Sequence, residues 1–134
     1  MKRLFAAAAI APLSFAAAAH AETSVSTATT VPLVTSSAGD VTVTSAGSIV
    51  LDSGVGVTVN SNNKLTSDGA IIIRDAPTAT AVLVDVPAAG RASTIAISGQ
   101  VGADDTKLNT DTDSDGDLDG AFTDAGVVRY GLRV

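Results

Sequence analysis

The sequence predicts an all-β chain of short stacked coils that is exported before it folds, and three observations lead there. Beyond Gly39, apolar residues alternate with small ones: Val41 and Val43 about Thr42, Val57 and Val59 about Thr58, Ile95 and Ile97 about Ala96. Period-two alternation is the signature of strands with one buried face. Turn-forming clusters separate these runs at short intervals, as Ser45-Ala46-Gly47, Asp52-Ser53-Gly54, Asn60-Ser61-Asn62-Asn63 and Ser67-Asp68-Gly69. After the first twenty-odd residues Gly, Thr and Val dominate, and no window of about 11 residues carries apolar positions three and four apart, so almost no helix is expected.

The N-terminus reads as a helical secretory signal peptide, residues 1–21. Met1, Lys2 and Arg3 supply the early positive charge, and an apolar run from Leu4 to Ala19 follows, broken by Pro12 and Ser14. Ala19-His20-Ala21 is a small-x-small cleavage site ahead of Glu22. A retained membrane anchor needs about 20 apolar residues to span a bilayer, and this run is shorter, with a proline in its middle. The chain contains no cysteine, which excludes a lipid anchor on a cleaved N-terminal Cys and any disulfide framework. Cleavage leaves residues 22–134, one small domain. Loss of Lys2 and Arg3 takes the formal charge of −6 two units further negative. Nucleic acid and anionic membranes are therefore poor partners, and no membrane span is expected after cleavage.

Residues 22–38 are mostly Thr, Ser, Ala and Val with weak alternation, and read as a lead-in or a first capping strand. Residues 39–134 read as the coiled body. Thr44-Ser45-Ala46-Gly47-Ser48-Ile49 lies over Thr66-Ser67-Asp68-Gly69-Ala70-Ile71, and Val50-Leu51 falls on Ile72-Ile73. With a three-residue insertion, Val57-Thr58-Val59-Asn60 falls on Val82-Leu83-Val84-Asp85. A repeat of this length is one coil of a solenoid, where each coil buries its apolar side only against its neighbours. An ordinary β-sandwich also has short strands and frequent turns. Its core wants large aromatics, however, and the processed part contains only Phe122 and Tyr130. Val86-Pro87-Ala88-Ala89-Gly90-Arg91 reads as a loop leaving the stack, and residues 99–126 as a longer excursion before a last strand over 127–134.

That excursion holds the one constellation with chemistry, Asp111-Thr112-Asp113-Ser114-Asp115-Gly116-Asp117-Leu118-Asp119-Gly120-Ala121-Phe122. Alternate carboxylates wrap a hard cation, Gly116 permits the sharp bend at position six, and Leu118 occupies the apolar eighth position of a calcium loop. Asp111, Asp113 and Asp115 would give side-chain oxygens, Asp117 its carbonyl and Asp119 a direct or water-bridged contact. Position twelve is Phe122 where a bidentate Glu normally completes the shell; Asp124 is the substitute if the loop closes differently. The alternative is a solvated acidic loop without metal. Bound calcium would be structural and weak, with a dissociation constant of about 10⁻⁴ to 10⁻³ M as in extracellular modules.

Enzymatic chemistry finds little to work with. The single histidine, His20, leaves with the signal, which removes a Ser-His-Asp triad, a His-ligated zinc site or a histidine base. Asp52-Ser53-Gly54 has only a superficial likeness to a nucleophile turn and reads as a turn between coils. A calcium-assisted lyase using Arg74, Arg91 or Arg129 as base stays formally open. There is no glycine-rich phosphate loop, and aromatics are too few for a stacking platform.

Two stretches carry a resemblance. Ser37-Ala38-Gly39-Asp40-Val41-Thr42-Val43-Thr44-Ser45-Ala46-Gly47-Ser48-Ile49, within residues 22–73, resembles the start of β-helical passenger domains of autotransporter outer-membrane proteins. Residues 111–134, an Asp-rich loop followed by Phe122 and Arg129-Tyr130-Gly131-Leu132-Arg133-Val134, are similar to a segment of the same passengers. The resemblance implies a right-handed parallel β-helix of about four to five short coils, and a non-enzymatic, adhesin-type surface protein with an unidentified surface ligand. It also implies a C-terminal β-barrel translocator, which this chain does not contain, so the expected product is a truncated or fragmentary passenger. Such a product would be periplasmic, or at the cell surface and extracellular as part of a full-length autotransporter. The alternatives are a free-standing small calcium-binding protein of the periplasm or medium, and a fragment of a β-helical polysaccharide-active enzyme.

Overall fold

The computed structural model describes residues 21–76, 78–86, 92–104 and 128–134. Residues 1–20, which include most of the expected signal peptide, residue 77, the expected loop over 87–91 and residues 105–127 lie outside the described residues. Among the described residues, twelve strands and one short helix follow in the order β1 (Thr23–Val25), β2 (Ala28–Thr29), β3 (Leu33–Val34), α1 (Thr35–Ala38), β4 (Val41–Val43), β5 (Ser48–Leu51) and β6 (Gly54–Val59). They continue as β7 (Leu65–Ser67), β8 (Ala70–Arg74), β9 (Thr78–Val84), β10 (Ile95–Ile97), β11 (Gln100–Asp104) and β12 (Val128–Arg133).

Every third strand pairs. The first sheet runs β1-β4-β7-β10, the second β2-β5-β8-β11 and the third β3-β6-β9-β12. All nine pairings are parallel. The chain thus winds four times through the same three sheets, an all-β, solenoid-like stack and not a pair of antiparallel sheets. Small residues make this arrangement: the strands are short, and among the described residues the buried core consists of Val, Ile, Leu and Ala. Val41 stands on Leu65 and Ile95, Ile49 on Ile71 and Val101, and Val57 on Val82 and Leu132. In the middle coils these ladders are sealed, with Val43, Ile49, Val57, Val59, Leu65, Ile71 and Val82 all at 0% exposure. Each fully buried Val, Leu or Ile contributes about 1.5–3 kcal/mol of transfer free energy.

The register bears out the repeat in two sheets and shifts it in one. Ser48 to Leu51 lie on Ala70 to Ile73, and Val57, Thr58 and Val59 on Val82, Leu83 and Val84, as the sequence alignment placed them. In the first sheet, however, Thr66 pairs with Thr42, not with Thr44. The cause is the corner between the first two sheets: four residues, 44–47, make it in the second coil, and two, Asp68-Gly69, in the third. Both corners end on a glycine, because the coils approach too closely for a side chain. A Cβ on Gly69 would lie 2.2 Å from the Gly47 carbonyl oxygen, and one on Gly99 would lie 1.9 Å from that of Gly69. The amides of Ala70 and Gln100 donate to those same carbonyls at 3.3 and 3.1 Å.

Two readings of the sequence change. Residues 22–38 are more than a lead-in: they make a complete first coil, whose strands pair with β4, β5 and β6. The expected excursion over 99–126 begins later than its composition indicated, since Gln100–Asp104 is β11, seated on β8 over its whole length. At the corner between the third sheet and the first, Thr35 of the single-turn helix α1 is fully buried. Its hydroxyl accepts from the Asn60 amide at 3.1 Å and the Ser61 hydroxyl at 2.8 Å, while Asn63 Nδ2 donates to its carbonyl at 2.6 Å. This polar hub ties the first coil to the second.

Candidate functional site

The corner between the second and third sheets is where the coils differ most. It is spanned by Thr30-Val31-Pro32 in the first coil, by Asp52-Ser53 in the second and by residues 75–77 in the third. In the fourth coil the connection runs from Asp104 at the end of β11 to Val128 at the start of β12. The segment bearing Asp111, Asp113, Asp115, Asp117 and Asp119 is inserted there, and it lies outside the described residues together with Asp124 and Phe122. Among the described residues, no group of three or more His, Cys, Asp or Glu converges as a metal site.

Beside this corner lies an open depression of about 510 Å³ lined by Thr30, Val50, Leu51, Asp52, Arg74 and Asp75. Its floor is apolar and its rim charged. Leu51 stands on Ile73 and Arg74 stands on Asp104 in register, while Asp52 follows Leu51 at the rim of the depression. The Arg74 Nε lies 3.7 Å from Asp104 Oδ2, with both side chains nearly half exposed, 44% and 46%. At that exposure the pair is worth at most about 1 kcal/mol. Asp75 has a left-handed backbone, φ 55°, a conformation that Asp tolerates better than most residues. Its amide donates to the Asp104 carbonyl at 2.9 Å, locking the third coil's corner onto the end of β11.

The candidates for catalysis are dispersed. Arg74 is engaged by Asp104, Arg129 Nε donates to the Ala76 carbonyl, and Arg91 lies outside the described residues. Ser53 and Asp52 form an exposed turn, the hydroxyl reaching the neighbouring carboxylate only at 3.4 Å. The arginines thus serve the stack itself, one across coils and one at a corner. The sequence reading missed the pairing of Arg74 with Asp104 across the third and fourth coils. Asp104 escaped because β11 was taken for loop.

Near the C-terminus, the third sheet carries a smaller hollow of about 250 Å³, bounded by Gly54, Val55, Thr78, Thr80, Tyr130 and Arg133, among others. The Arg133 guanidinium lies 5.3 Å from the Tyr130 ring centre, a cation–π contact that rigidifies its edge. No helix among the described residues is long and apolar enough to cross a membrane. No family model, curated protein or solved structure matches the chain.

Proposed function

We propose that this chain is an exported, non-enzymatic surface segment of the autotransporter-passenger type. In this reading it is a right-handed parallel β-helix whose corner loops meet a ligand outside the inner membrane. The observation that carries the proposal is the organisation of the stack. Its three sheets are continuous and parallel among the described residues, while the corner between the second and third sheets is opened in the fourth coil to admit a long acidic segment between Asp104 and Val128. Solenoids place recognition on such insertions, because a corner can lengthen without disturbing the ladders beneath it. A chain of low aromatic content, without cysteine, suits passage through a membrane in the unfolded state.

Asp111, Asp113, Asp115, Asp117 and Asp119 are the residues that would hold a calcium ion, and its role would be to order the insertion. The test joins export to metal. Fractionated cells should yield a product beginning at Glu22 outside the cytoplasm, and deletion of residues 1–21 should retain the chain inside. Millimolar calcium should slow amide exchange over 111–119 in that product and leave β4 to β9 unchanged. A full-length cytoplasmic product removes the export reading. Exchange unaffected by calcium removes the metal.

A further inference from the structure

The larger depression lies where two stacked coils diverge. Leu51 stands on Ile73, but β5 ends there while β8 runs one residue further, to Arg74. The second coil turns away at once through Asp52-Ser53, and the third continues into residues 75–77. Neighbouring strands lie about 4.8 Å apart, so a carboxylate and a guanidinium that each follow a stacked pair are placed to meet. They do not meet. Among the described residues, the ion pair of Arg74 is with Asp104 in the following coil, at a distance too long for a hydrogen bond, and its guanidinium makes no hydrogen bond elsewhere. Asp52 accepts only from the adjacent Ser53 hydroxyl. Both side chains are exposed, and both border the hollow whose apolar part is Val50 and Leu51.

We infer that this hollow binds the zwitterion of an aliphatic α-amino acid, with its carboxylate on Arg74, its ammonium on Asp52 and its side chain on Val50 and Leu51. The rim calls for both charges at once. An anion alone would lie beside Asp52, a cation alone would face Arg74, and an uncharged apolar molecule would strip water from both groups without replacing its hydrogen bonds. A polyol offers hydroxyls to both, but hydrogen bonds between ionised partners are shorter and roughly twice as strong as neutral ones. An α-amino acid carries its two charges one carbon apart, which suits an acceptor and a donor supplied by consecutive coils. The hold of Asp104 on Arg74 is weak enough to share, because both side chains are nearly half exposed and the guanidinium has five donors. In so open a site the dissociation constant should be on the order of 1–10 mM. Every residue named lies in the second and third coils, so the inference depends neither on export nor on the acidic insertion.

Titration of L-leucine into the isotope-labelled chain, followed by nuclear magnetic resonance, tests the site. Saturable shifts are expected at the methyls of Val50 and Leu51 and at the amides of Asp52 and Arg74, and none at Ile95 and Ile97 on the first sheet. Two analogues each delete one charge: isocaproate lacks the ammonium and isoamylamine the carboxylate. Each should bind about fivefold more weakly than leucine, the loss of one solvent-screened ion pair. The exposed substitutions Asp52→Asn and Arg74→Gln should leave the far-ultraviolet circular dichroism unchanged and weaken leucine by the same factor. Asp52→Asn should not weaken isocaproate, nor Arg74→Gln isoamylamine, because each variant lacks only the group that the analogue no longer addresses. No saturable shift at about 100 mM leucine, ten times the weakest expected constant, overturns the inference. So do equal affinities for leucine and both analogues, which would mark an apolar patch alone, or tighter binding of maltose, which would mark a polyol site.

Discussion

The middle coils and the end coils use the same kinds of residue on the same ladders, yet only the middle coils are sealed. Ile71 is fully buried between Ile49 and Val101, whereas Leu132, at the end of its ladder, is half exposed. The difference lies in the number of neighbours, not in side-chain chemistry. In a stack of coils each layer is stabilised by the layers above and below it, so one residue type contributes differently according to its distance from an end. The corners vary for the complementary reason. They carry little of the interior, and can hold two residues in one coil and a long insertion in another.

That contrast can be broken by mutation, and the largest effect should come from the centre. Ile71→Ala removes a fully enclosed side chain and should cost about 2–5 kcal/mol in chemical denaturation. Leu132→Ala on the last coil should cost under about 1 kcal/mol, because the surface it loses is already half wet. Equal losses at the two positions would mean that the last coil is covered as well as the middle ones.

An intermediate effect is expected at Thr35. Thr35→Val keeps the shape but leaves the Asn60 amide and the Ser61 hydroxyl without their acceptor, and should cost about 1–3 kcal/mol. Hydrogen exchange should show the loss in the first coil before the third. The smallest effect belongs to the exposed pair at the open corner: Asp104→Asn should change stability by less than about 1 kcal/mol, and added salt should diminish that change further.

The middle coils were also the legible ones. Ile49, Ile71 and their flanking residues form a repeat because each must fill the same slot of one sheet, so the register of the second sheet could be read from residues alone. The first sheet could not be aligned by the same offset, because the two extra residues of the corner 44–47 carry no apolar signal. The first coil was obscured by strands of two or three residues, in which Val25 and Leu33 are too sparse to show a period. β11 was obscured by Gly102 and Asp104, which read as loop but are held in place by β8. At the corner, sequence singled out Arg74 as a candidate base. Its partner Asp104 became visible only when the thirty-residue spacing between these coils was closed by the fold.

The stacking of coils is tested most directly by interstrand proton contacts measured by nuclear magnetic resonance on the isotope-labelled chain. Parallel stacking predicts amide-to-Hα contacts linking Val43 with Ser67, Ile49 with Ile71 and Val57 with Val82, one ladder in each sheet. Strong Hα-to-Hα contacts between strands adjacent in sequence, such as β4 with β5 or β8 with β9, are the mark of antiparallel pairing and would contradict the account.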